Sequence, residues 1–155
     1  PEATVAAVQA AFPKGNLYVE LRAEFGPLYD DQLFADLYPP AGRPVEVAPW
    51  RLALVVVMQY IEGLTDRQAA DAVRRCMDWK YALSLELTDP GFDFTLLHDF
   101  RCRLLAHEAA QRFLDTFLSA SYSGIVIRIF SMHSTSAHSQ KKSEPSTIGS
   151  IGSSR

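Results

Sequence analysis

The sequence predicts an all-α protein: a compact array of short helices with helix-turn-helix-like elements, followed by a disordered Ser-rich C-terminal tail. Three observations carry that expectation. Apolar residues recur at helical spacing through most of the first 120 positions. Thr65 and Gln68 form a capping box ahead of a small-residue stripe, the signature of a helix start. After Ser121 periodicity disappears, Ser becomes frequent, and Pro145, Gly149 and Gly152 interrupt. Such a segment cannot bury enough apolar surface to order itself. The boundaries drawn this way are a helical domain over 1–120 and a disordered or frameshifted tail over 121–155.

Taken in order, Ala3–Phe12 places Val5, Val8 and Phe12 at helical spacing, and Pro13 and Gly15 end it. Asn16–Phe25 reads as a short helix or turn with Leu17 and Leu21 on one face. Asp30 or Asp31 is placed to cap Gln32–Leu37, because acids are stabilised at a helix start by the helix dipole. Tyr38–Pro49 is a Pro-rich linker, and Pro49 suits the first turn of the next helix. That helix, Trp50–Glu62, is apolar nearly all round and belongs at the centre of a bundle; Gly63 closes it. From Thr65 the chain reads as a helix with Ala69, Ala72, Val73 and Cys76 inward and Arg67, Asp71, Arg74 and Arg75 outward. Asp78 is positioned to cap a further helix, Trp79–Leu87. Thr88–Gly91 is a turn. Asp93 or Thr95 caps the next helix, in which Leu96, Phe100 and Leu104 repeat every four residues. Ala106–Ser119 continues as an amphipathic helix, with a break expected near His107. Ile125–Phe130 has strand character but no nearby partner.

Composition bounds the function. With 155 residues and 48% apolar content the chain is globular and of single-domain size. Two widely spaced Cys give neither a disulfide framework nor a zinc ribbon, and free thiols suit a reducing cytoplasm. No secretory signal opens the chain, and the apolar run Leu52–Met58 is too short to span a bilayer. Net charge is −3, with −6 over residues 1–120 and +3 over 121–155. An acidic body argues against binding nucleic acid by bulk charge and leaves a small basic patch as the means.

Arg67, Arg74, Arg75, Lys80, Arg101 and Arg103 could supply such a patch, since Arg offers forked donors to guanine edges and phosphates. The plainer reading is a solvated face on which Arg67 and Arg75 pair with Asp71 at i,i+4. His98 and Cys102 share a helix face at the same spacing, which metal ligands can use, but no fourth ligand accompanies them. Asp93, Asp99 and His98 resemble acid–base components, yet Asp93 reads as a cap and Asp99 as a surface charge. No Gly-rich phosphate loop, nucleophile elbow or HExxH occurs. Neither a cofactor nor a metal is expected.

The run from Tyr29 to Leu105 resembles the N-terminal domain of bacterial insertion-sequence transposases of the acidic-triad (DDE) class. The matching pieces are the Pro-rich linker before the apolar helix, then GLTDRQAADAVR, DWKYALSLEL and FDFTLLHDFRCRLL. The last is similar to the family's FD-x-S-x-L-x-x-FR-x-R-L helix, matched by Phe92, Asp93, Phe100, Arg101, Arg103 and Leu104, with Thr95 where Ser is usual. The resemblance implies DNA as partner, in the form of the element's terminal inverted repeats, and assembly as a homo-oligomer or with full-length transposase. On that basis Arg74, Arg75, Lys80, Arg101 and Arg103 are the expected DNA contacts. The competing expectation is a protein-interaction module that docks on a full-length transposase. The family's catalytic Asp, Asp and Glu hold metals for strand cleavage. No Asp follows Asp115 here, and residues 131–136 read Ser-Met-His-Ser-Thr-Ser where the family has a stretch like TDSTH. The chain is therefore expected to be a non-catalytic, truncated remnant.

Overall fold

The computed structural model describes residues 1–24, 31–38, 46–106, 111 and 115, with backbone alone at 31 and 33. Among the described residues the array is formed by six α-helices: α1 (Glu2–Ala11), α2 (Leu17–Glu24), α3 (Pro49–Glu62), α4 (Asp66–Arg75), α5 (Met77–Ala82) and α6 (Thr95–Ala106). A 3-10 helix, Asp31–Leu37, lies between α2 and α3. No strand occurs among the described residues, and no described helix is long and apolar enough to cross a membrane.

α3 is the interior helix that its composition predicts. Pro49 occupies its first turn, where a missing N–H costs nothing. Leu52, Ala53, Leu54, Val55, Val57 and Met58 are buried, while Tyr60 faces solvent. Against this helix pack the 3-10 helix, α4 and α6. Gly63, at φ 65°, stops α3 in the left-handed conformation that glycine adopts without strain. Leu64 N donates to the Gln59 carbonyl at 3.0 Å and Gly63 N to the Tyr60 carbonyl at 3.3 Å, the paired closure of a Schellman end.

On the other side of the core, α5 packs against α1 and α2. Asn16 caps α2 by accepting from Val19 N at 3.0 Å, and its amide donates to Asp78 on α5 at 3.0 Å. Thr4, fully buried in α1, donates to the Leu85 carbonyl at 2.8 Å. Glu62, the last residue of α3, accepts from both the Tyr18 hydroxyl and the Trp79 indole N–H. One carboxylate thus joins α2, α3 and α5. Burial, reinforced by the Glu62 hydrogen bond, raises the Tyr18 phenol far above its ordinary range. Among the described residues, Tyr18 packs on Trp79 and Phe34 on Phe100, each pair with ring centroids 5.8 Å apart.

The expected helix over Trp79–Leu87 is corrected in both bounds. α5 starts earlier, with Cys76 rather than Asp78 at the N-cap, and it ends at Ala82. Ser84 adopts φ 54°, and the bonds Ser84 N to Tyr81 O and Leu85 N to Lys80 O close the last turn. Arg51 of α3 donates to the Leu83 and Ser84 carbonyls at 2.9 and 3.4 Å, so the departing chain is held by a side chain instead of a further helical turn. The expected cap at Asp30, most of the Pro-rich linker, the strand character of Ile125–Phe130 and the Ser-rich tail lie outside the described residues. The same holds for the helix expected beyond Ala106 except at Gln111 and Asp115, which are helical and hydrogen-bonded at 2.9 Å.

Candidate functional site

The corner between α3 and α4 is three residues long, Gly63 to Thr65. The capping box forms as expected: Thr65 N donates to the Gln68 side chain at 2.9 Å, and Gln68 N to the Thr65 hydroxyl at 3.4 Å. Ala69, Ala70, Ala72 and Val73 turn inward and are buried. Their small side chains let α4 sit close to the core, and the 3.6-residue period sends Arg67, Asp71, Arg74 and Arg75 the other way.

On this outer face the Arg74 and Arg75 side chains are 54% and 66% exposed. Asp71 lies between them, 2.7 Å from Arg75 and 3.8 Å from Arg74. Arg74 also donates from Nε to the Pro90 carbonyl at 3.0 Å. That contact ties the end of α4 to the turn in which Asp89 accepts from Gly91 N at 2.8 Å. An open groove of about 540 Å³ runs between α4 and the segment leading into α6, with Arg67, Asp71 and Arg74 on one wall and Phe92, Asp93 and Phe94 on the other. The Arg67 guanidinium sits over the Phe94 ring, 4.7 Å from its centroid. Hydrogen bonds from the Thr95 hydroxyl and N–H, at 2.6 and 2.9 Å, hold the Asp93 carboxyl below its usual range, and the nearby Arg67 and Arg74 charges add to this.

The remaining expected contacts are placed otherwise. Lys80 is corrected: it is 3% exposed, and its ammonium donates to the Asp89 carbonyl at 2.5 Å, so it is absent from the outer surface. Arg101 is half-buried and turned toward α4. It grips Asp66 with both terminal nitrogens, at 2.9 and 2.5 Å, while Gln59 of α3 donates to the same carboxylate at 2.7 Å. These bonds, Arg101's foremost, lower the Asp66 pKa against the opposing effect of its burial. Arg103 is exposed but donates to the Leu37 carbonyl at 3.2 Å and stacks over Tyr38. Of the four arginines and one lysine expected as DNA contacts, only Arg74 and Arg75 share one open face.

His98 and Cys102 do meet on the outer side of α6, Sγ to Nε2 at 3.5 Å. Among the described residues no group of three or more His, Cys, Asp or Glu is placed to hold a metal. The Asp71–Arg75 pair is visible in the sequence as an i,i+4 spacing. The Asp66–Arg101 pair is not, because 35 positions separate its members and packing alone brings them together.

Residues 6–103, more than half of the chain, match the family model described as Transposase domain (DUF772). No curated protein and no solved structure matches the chain.

Proposed function

The chain belongs to the transposase-domain family, and from that premise we propose that it acts in transposition by binding the DNA of an element's terminal inverted repeats through the outer face of α4. The observation that carries this reading is the exposed Arg74–Arg75 pair on a helix anchored at both ends. Asp66 is pinned by Arg101 and Gln59 at one end, and Arg74 is tied to Pro90 at the other. A three-residue corner containing Gly is also the connection found in a helix-turn-helix, which supports reading α4 as the second helix of such a pair. Arg74 and Arg75 contact phosphates first, since most protein–DNA hydrogen bonds go to the backbone. Arg101 and Arg103 serve the geometry of the domain, and Lys80 its interior.

The test is fluorescence anisotropy on a duplex carrying the inverted-repeat end, at several salt concentrations. Arg74→Ala and Arg75→Ala should each weaken binding and flatten the dependence of log K on log salt by about one unit. Binding that ignores both substitutions would defeat the proposal. A second reading, a module that docks on full-length transposase, is favoured by the acidic balance of residues 1–120. It predicts co-purification with the transposase and no DNA binding at any salt concentration.

A further inference from the structure

We infer that Asp71 is a specificity-determining residue of the α4 face: a tethered competitor that keeps Arg74 and Arg75 off phosphates of random DNA. The inference rests on the DNA-binding reading above. A face made to grip any duplex would leave its guanidiniums clear of acids, because non-specific affinity comes from neutralising phosphates. Here a carboxylate three and four residues upstream reaches both, at 3.8 and 2.7 Å. Helical geometry fixes that reach, since i,i+3 and i,i+4 side chains are neighbours on one face. The carboxylate also sits where an approaching phosphate would sit, and its charge repels that phosphate. Asp93, across the groove and exposed, adds a second negative charge on the same approach.

The competitor is weak by construction. All three side chains are well exposed, Asp71 to 44%, so water screens the pairs and exchange is easy. Phosphate alone must displace the carboxylate and tolerate it nearby. A site that also offers base-edge contacts has further interactions with which to do so. Asp71 therefore lowers affinity most where phosphates are all the DNA provides.

Anisotropy with short random-sequence duplexes, set beside the inverted-repeat duplex, tests this on wild type, Asp71→Asn, Asp71→Glu and the Arg74→Ala/Arg75→Ala double variant. Asp71→Asn should tighten binding to random duplexes roughly threefold to tenfold at low salt, more than it tightens binding to the inverted-repeat duplex, and its salt dependence should steepen by about one ion. Asp71→Glu, which keeps the charge, should stay near wild type. A merely structural role would not raise affinity. If the double variant weakens while Asp71→Asn binds no tighter than wild type, the inference on Asp71 is overturned and the DNA-binding reading stands. If the double variant binds both duplexes as wild type does, or none of the four proteins binds either duplex, both fall.

Discussion

Two arginine pairs, similar in sequence, meet different fates. Arg74 and Arg75 end α4, and Arg101 and Arg103 lie in the second half of α6. The α4 pair answers to an acid on its own helix and stays in solvent, although Arg74 also reaches the Pro90 carbonyl. The α6 pair is claimed from elsewhere: Arg101 by Asp66 at the start of α4, and Arg103 by the Leu37 carbonyl and the Tyr38 ring. Local pairs between exposed charges are weak and exchangeable. A two-pronged contact to a half-buried carboxylate is neither, because each partner would be left desolvated without the other. The same side chain is thus a surface group in one helix and a structural brace in the other.

Removing Arg101 should expose this difference most strongly. Arg101→Ala is expected to cost about 2 kcal/mol in urea denaturation, short of the roughly 3–5 kcal/mol of a fully buried pair because solvent reaches this one. Adding Asp66→Asn should recover part of the loss, as expected for partners in contact. Equal costs for Arg101→Ala and Arg75→Ala would erase the distinction between the two pairs.

Acid should act on the same contact, and the sign is fixed by Asp66. Its folded pKa is depressed, first of all by the Arg101 hydrogen bonds. The stability that it contributes is therefore complete above the unfolded carboxyl pKa of about 3.8 and is lost as pH falls through the lower, folded value. Thermal midpoints of wild type and Asp66→Asn should lie apart at neutral pH and converge in strong acid; a constant gap would contradict the assignment. The smallest effect belongs to the α4 pair. Arg75→Ala should change stability by no more than about 0.5 kcal/mol, since a single exposed i,i+4 pair is all that it breaks.

The all-α architecture, the interior helix and the α3–α4 corner were legible because their causes are local. Pro49, Gly63 and the Thr65–Gln68 box act within one turn of where they stand. The inward stripe of α4 was legible for the same reason. What escaped the sequence was decided by distant partners. Tyr81, Leu83, Leu85 and Leu87 suggest one continuing helix, yet Arg51, some thirty positions earlier, binds the carbonyls at which α5 has already stopped. Lys80 carries the charge of a surface residue, and its burial follows from a carbonyl in the Asp89 turn. Arg101 and Arg103 belong to a recognisable motif, but the spacing of a motif carries no record of which helix packs across from it.

The Glu62 carboxylate, shared by a phenol and an indole, gives the protein a built-in optical reporter. Trp79 is 1% exposed and hydrogen-bonded to that carboxylate. Its emission therefore responds to whether three separate helices remain assembled, while Trp50, partly buried with Arg51 across its ring, samples a second neighbourhood. Replacing Trp50 with Phe isolates the first signal, and assembly can then be followed by intrinsic fluorescence, without attaching a dye near the arginines.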